Sequence, residues 1–275
     1  MTTPAPGLYA GVPEATYHGD RGSLSSSGAR RLLEVAPRQW KWERDHPKEP
    51  TADMILGSAV HTLTLGVGTP VVEVKVDTWQ SNAAKARRAE IEAEGGIALK
   101  TKDYEQAVAM AAAARAELDA LVAEDHIRYP ELSGYAEDPE TGVMLRVRPD
   151  LLIQRPDGTW YVIDLKTTAA ANPEKFDKSV AEYGYHLQDP WYRDVLALRP
   201  MCVHVDAFLF LAIAKDPPYL ASTSELDPFD VDLGRRLNRR AIDLFAKCAA
   251  ADDWPAHPHH IVRLPSWAAY REASL

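Results

Sequence analysis

The stretch from residue 131 to 168 limits the possible folds of this chain more than any other. Three runs, ELSGYAED, TGVMLRVRPDLLI and TWYVIDLKT, read as strands. Two short segments, DPETG and RPDG, separate them. Pro, Asp and Gly in such positions close tight turns, so the three runs read as an antiparallel meander. Parallel neighbours would need a crossover of about a dozen residues or more, which these connections are too short to supply. With the second turn centred on Asp157, Asp150 falls opposite Asp164. Opposed residues in an antiparallel pair point to one face, with Cβ atoms about 4.5–5.5 Å apart. Lys166 stands two residues after Asp164 and projects from the same face. Two carboxylates and an ammonium therefore share one small patch.

Two carboxylates that close repel, and apolar surroundings do not keep them without a cation between them. Hard oxygen ligands suit Mg²⁺, with Mn²⁺ as an alternative. Such ions activate water and stabilise the charge on a phosphate under displacement. Lys166 is placed to orient or deprotonate that water, or to neutralise the phosphorus centre. On hairpin geometry alone, a surface ladder of Asp, Asp and Lys explains the pattern as well, because opposite-charge cross-strand pairs are common. Val162 and Ile163 weigh against it, since VIDLK is too apolar for a freely solvated edge. A first turn centred near Glu140 brings Glu131 close to Pro149, beside Asp150, as a further acid. A one-residue slip in that turn would send Glu131 to the other face.

The rest of the chain frames this region. Residues 1–22 read as an irregular arm, and Ser25, Ser26 and Ser27 as the capped start of a helix that stops before Pro37. RQWKWERDH is a second helix, and a third runs from about Thr51 through DMILGSAVHTLTLG. VVEVKV is a strand, 79–94 a polar stretch, and 101–125 an Ala-rich helix. Helices are expected from about Pro173 to Tyr183 and from near His186 to Leu198. VHVDAFLFLAI and PYLASTSEL follow as strands, and 228–250 as a last helix before a Pro-rich tail. The expected class is α/β, with a central mixed sheet flanked by helices, in one domain over residues 1–275. Its parts are a helical region at about 23–125, a sheet core at about 131–225, and a final helix and tail at about 226–275.

The longest apolar stretch, Ala207 to Ala214, is strand-sized, so no membrane span is expected. No basic segment followed by an apolar block opens the sequence, which makes a cytoplasmic protein the expectation. The net charge of −9 lowers the case for a protein that simply coats nucleic acid, since phosphate contacts call for basic surfaces. It says little against a nuclease with a carboxylate-rich metal site.

Residues 149–150 and 164–166 read P-D…D-L-K, and the match extends well beyond that motif. YHGDRGSLSSSGARRLLEVAPRQWKW, LGSAVHTLTL, ETGVMLRVRPDLLI and VIDLKTTAAANPEKFDKSVAEYGYHLQDPWYRDVL follow one another over roughly residues 8–213. In order and spacing they resemble the RecE-type (exonuclease VIII) branch of the PD-(D/E)XK nuclease superfamily, often carried by phages. The resemblance implies a restriction-endonuclease-like core. Asp150 and Asp164 become metal-binding acids, Lys166 the catalytic lysine, and the Leu165 carbonyl a further metal contact. His61 matches the histidine beside the metal site, and Glu131, less closely, an additional acid. Gln188 and Tyr192 match a Q-x-x-x-Y motif whose spacing puts both on one helix face. Outside the motif, His61 would be an ordinary core histidine, and Gln188 and Tyr192 plain helix surface. Pro190, tolerated in a first turn, suggests a helix beginning close to Gln188.

The same resemblance implies a DNA exonuclease that degrades linear duplex from a free end, 5′ to 3′, leaving 3′ single strands for recombination. It implies a single-strand annealing protein as partner, a ring-like homo-oligomer, and the host cytoplasm as location if the gene is phage-borne. Ser27 and Arg31 resemble a serine and arginine segment that receives a DNA 5′-phosphate; a simple N-cap with solvated arginines is the plainer account. Iron–sulfur members of the superfamily carry four cysteines, whereas this chain has only Cys202 and Cys248, so no cluster is expected. The alternatives are a structure-specific endonuclease of the same fold and a DNA-binding module with an inactive site.

Overall fold

Proline has no N–H to give a β-ladder, and Pro149 divides the middle run of the expected meander in two. The structure, a computed structural model, describes residues 3–169 and 171–268. The arm forms β1 (Gly7–Tyr9), α1 (Glu14–Gly19) and β2 (Leu24–Ser25). Helices α2 (Ser26–Glu34), α3 (Pro37–Asp45) and α4 (Ala52–Leu65) follow. Then come β3 (Val71–Val74), α5 (Asn82–Ala93), β4 (Ile97–Lys100) and α6 (Thr101–Leu121). The meander region supplies β5 (Ile127–Pro130), β6 (Ser133–Glu137), β7 (Met144–Val147), β8 (Leu151–Gln154) and β9 (Trp160–Thr168). Helices α7 (Pro173–Tyr183) and α8 (Tyr185–Ala197) lead to β10 (Val205–Ala214), β11 (Ala221–Ser224) and α9 (Pro228–Ala251).

The central sheet has the order β11-β10-β9-β8-β5. It is mixed: β9 and β10 are parallel, across the α7–α8 crossover, and the other pairs are antiparallel. A second sheet, β1-β6-β7-β2, and a parallel β3-β4 pair complete the strands among the described residues. The expected α/β class with a mixed sheet flanked by helices is therefore present.

Both faces of the central sheet are covered. On one, Leu152, Val162, Phe208 and Phe210 cluster with Leu32, Trp191, Val195 and Ala241 of α2, α8 and α9. On the other, Leu151, Ile153, Ile163 and Leu211 cluster with Val60 of α4 and with Ala107 and Met110 of α6. A strand buried on both faces loses its polar alternation, which explains why β9 and β10 read as nearly continuous apolar runs.

Several expectations need correction. The meander is a long ribbon bent at its waist: β6–β7 and β5–β8 keep one register on either side of Glu131 and Pro149 but lie in different sheets. Glu131 takes a positive φ of 52°, and its N–H donates to the Asp150 carbonyl at 3.0 Å. Glu131 therefore stands across from Asp150, one residue from the expected partner, Pro149. The arm carries regular elements, and the polar stretch at 79–94 contains α5. Helix α8 starts at Tyr185, so Pro190 lies inside it and leaves the His186 carbonyl without its helical donor. That carbonyl faces α9 at Gly234, where an added Cβ would sit 1.8 Å from the oxygen. Glycine is thus required for the two helices to meet.

Candidate metal centre

The second turn builds the first half of the site. Asp157 accepts from the backbone N–H of Thr159 at 2.9 Å and from its hydroxyl at 2.7 Å, and Gly158 takes the positive φ of 88° that closes the loop. The ladder beyond pairs Leu151 with Ile163 and Leu152 with Val162. The next residues on the same face are Asp150 and Asp164, across from one another as expected. The Leu165 N–H donates to Asp150 Oδ2 at 2.7 Å, which ties the Asp150 carboxylate to the neighbouring strand.

The second half comes from elements distant in sequence. From α4, His61 Nδ1 lies 3.5 Å from Asp150 Oδ2. At the ribbon's waist, Glu131 joins these two: His61, Glu131 and Asp150 each offer a ligand atom, all within 4.8 Å of one another. Asp164 is 1% exposed. Its Oδ1 accepts from Gln188 Nε2 at 2.5 Å, and the Lys166 ammonium lies against its Oδ2. The structure thus brings together His61, Glu131, Asp150, Asp164, Lys166 and Gln188, with Leu165 bonded through its N–H.

Tyr192 stands one layer back. Its hydroxyl donates to the Arg148 carbonyl at 3.1 Å, bracing the chain immediately before Pro149 and Asp150. Ser27 and Arg31 line a separate cavity of about 260 Å³ with Arg21, Arg44 and Arg146. Arg31 is already held by Glu43 through two bonds of 2.8 Å and by Glu34 at 3.2 Å, while Ser25 caps the helix by accepting from the Gly28 N–H. Two neighbours of the site were not anticipated from sequence. Arg148 Nη1 stands 3.6 Å from Glu131 Oε2, and the Tyr185 ring lies 4.7 Å from Lys166 Nζ. Arg148 could have been found from the alternation of RVRPD; Tyr185, at a helix junction, has no such signal.

Burial and mutual charge shift the groups of this cluster in different directions. Burial pushes the Glu131 carboxyl up to about 7, and the Asp150 charge adds to the effect. Burial likewise raises Asp164 to about 6; Lys166 opposes the shift and Asp150 reinforces it. Burial alone would depress His61, but the Asp150 carboxylate outweighs it and holds the imidazole at about 9. Asp150 goes the other way: burial would raise it, yet His61, Lys166 and the Leu165 N–H keep it low. His61, Glu131 and Asp150 lie close enough to share one ion, and with the neighbouring Asp164 they make a donor set that fits a hard divalent ion once the imidazole gives up its proton.

Residues 26–262 match a family described as a PDDEXK-like domain of unknown function, DUF3799. The chain belongs to this PDDEXK-like family. Its fold is similar to that of a candidate exonuclease from Eubacterium rectale, with a TM-score of 0.62 and 13% identity over 95% of this chain and 97% of that one. A crystal structure of the protein SSO0001 aligns with 69% of this chain and 84% of its own, at 17% identity and a TM-score of 0.31, too loosely to carry an argument. No curated protein matches the chain. Asp150 stands just before β8, and Asp164 and Lys166 lie within β9. Among the described residues, no helix is long and apolar enough to cross a membrane.

Proposed function

We propose that this PDDEXK-like protein is a metal-dependent exodeoxyribonuclease that degrades linear duplex DNA from a free end. One observation carries the reading: the Asp150 carboxylate, next after the β8–β9 ladder, is tied to β9 through the Leu165 N–H, beside Asp164 with the Lys166 ammonium against it. Asp150, Asp164, Glu131 and His61 would hold a divalent ion, with the Leu165 carbonyl as a further contact; Mg²⁺ suits the oxygen-rich set and Mn²⁺ is the alternative. A bound ion of this kind supplies Lewis acidity and lowers the pKa of water. The protein supplies the rest. Gln188 holds the Asp164 carboxylate in place, and His61 does the same for Asp150. Lys166 keeps its proton, because Asp164 and Asp150 outweigh its burial, and stabilises negative charge growing on the phosphate. In-line attack by a water oxygen forms a new bond to phosphorus and breaks the bond to the 3′-oxygen, which leaves as a hydroxyl, so the product carries a 5′-phosphate.

The preference for an end, the 5′ to 3′ direction and a role in recombination are supported by the RecE-type resemblance. So are the annealing partner and the ring-like homo-oligomer. A time course on end-labelled linear duplex and on closed circular duplex tests the reading. With Mg²⁺ the linear substrate should shorten from one labelled end while the circle survives, and chelator should stop the shortening. Equal cutting of the circle would make the protein an endonuclease of the same fold. Absence of cleavage with every divalent ion tried would make it a binding module.

A further inference from the structure

Beside Lys166, a row of aromatic rings runs from the core to solvent. Phe210 is fully buried, and Tyr185 stacks on it with centroids 5.7 Å apart and planes at 25°. Tyr185 is half-buried and carries Lys166 Nζ over its ring. Tyr183 stacks on Tyr185 in turn, at 5.7 Å and 30°. Tyr183 is 49% exposed, and among the described residues the one ring stacked on it is Tyr185. The row therefore ends in a half-exposed ring two rings out from the lysine.

The turn that presents this ring is held firmly. Gly184, between the two tyrosines, has a φ of 64° and caps α7. A Cβ there would meet Arg30 Cδ at 2.5 Å, so the Arg30 side chain lies directly against the turn. The Arg30 guanidinium also donates to the Tyr183 carbonyl. Tyrosine has few rotatable bonds, so a ring fixed in this way binds a flat partner at little further entropic cost. Arg30 is itself paired with Glu34 at 3.5 Å, so its role is to brace the turn.

We propose that Tyr183 is the outer wall of a nucleobase-stacking subsite, in which an unpaired base next to the phosphate held at Lys166 lies on the face of the ring away from Tyr185. The proposal rests on the nuclease reading above and sharpens its substrate to a strand end locally freed from its complement. Every base has a π-face, so such a subsite tolerates any sequence. It requires the base near the cut to leave its pair before the strand is severed.

The test is Mg²⁺-dependent cleavage of a linear duplex by the full chain, with an abasic residue placed at successive nucleotides from the end. Tyr183→Ala should lose roughly tenfold in kcat/KM, carried by KM, and Tyr183→Phe should keep wild-type behaviour. One abasic position should cost the wild type a similar factor and cost Tyr183→Ala nothing more. A wild-type KM in Tyr183→Ala, a loss confined to kcat, or abasic and substitution penalties that add in full would each overturn the proposal. A 2-aminopurine at the same nucleotide, with Ca²⁺ replacing Mg²⁺, reads stacking without turnover. Quenching that depends on Tyr183 in a protein that cuts no DNA would sink the nuclease reading and leave the subsite standing. Cleavage indifferent to Tyr183 would do the reverse, and a protein that neither cuts nor quenches would lose both.

Discussion

Asp138 and Asp164 are each buried beside a basic side chain, and their surroundings differ in kind. Asp138, in the β6–β7 turn, is 5% exposed; Asp164, on β9, is 1% exposed. Asp138 accepts two bonds from Arg239, at 2.8 and 3.0 Å, and two from Thr141, at 2.6 and 3.0 Å. Burial would raise its pKa, but these donors outweigh burial and hold it below the ordinary carboxylate value. Asp164 has Lys166 and Gln188 as donors, and it also faces Asp150; burial and that neighbour hold it up at about 6. Burial alone therefore does not separate a structural carboxylate from a functional one. What separates them is whether every neighbour donates: Asp138 is fully answered, whereas Asp164 also faces the Asp150 charge.

Substitutions at the two sites should break along this line. Asp164→Asn should lower Mg²⁺-dependent DNA cleavage by about 10²–10⁴-fold, the range for a group that acts in the chemical step, with the fold retained by circular dichroism. Loss of the fold would place Asp164 with Asp138. Gln188→Ala should lower the same rate by roughly tenfold, because Asp164 loses a charge-assisted bond, while cleavage remains detectable. Asp138→Ala should cost about 1–3 kcal/mol in denaturant unfolding and leave cleavage intact, since Arg239 keeps Asp243 as a partner. A lost activity with normal stability would put Asp138 in the wrong category.

The pH dependence should have opposite signs at the two sites. The Asp138 pKa is lower folded than unfolded, so its stabilisation is complete above the unfolded value near about 4 and fades as pH falls through the folded one. The stability gap between wild type and Asp138→Ala should narrow in acid. The Asp164 pKa is higher folded than unfolded, so its ionisation costs stability as pH rises from about 4 to about 6. With chelator present, Asp164→Asn should gain on the wild type across that window, and parallel pH profiles for the two variants would erase the distinction. The smallest effect is expected at Tyr192→Phe, which removes one bond to the Arg148 carbonyl and should cost about 1 kcal/mol.

How far the site can be read from sequence follows how local its causes are. Asp157-Gly158 sets a tight turn, the turn sets the register, and the two-residue period of a strand sets the face; Asp150, Asp164 and Lys166 follow from those steps. Glu131 depends on a longer turn around Glu140, and there the expected partner was one residue off. Strands β4 and β5 escaped because four residues such as Ile97–Lys100 and Ile127–Pro130 show too little alternation to stand out. His61 and Gln188 were singled out through a family motif, since nothing in the periodicity of their own helices distinguishes them from core or surface positions.

The order of residues from 150 to 166 by itself determined which groups share a face of the β8–β9 hairpin, because backbone geometry acts over a few residues. Tertiary structure decided that the ribbon bends at Pro149, that α4 brings His61 to Asp150, and that α8 brings Gln188 to Asp164. Those contacts join segments roughly a hundred residues apart in the extreme case and exist only once both faces of the central sheet are buried. The charge state of each acid is likewise a tertiary property, since it depends on how many donors and how much water the folded chain leaves around it.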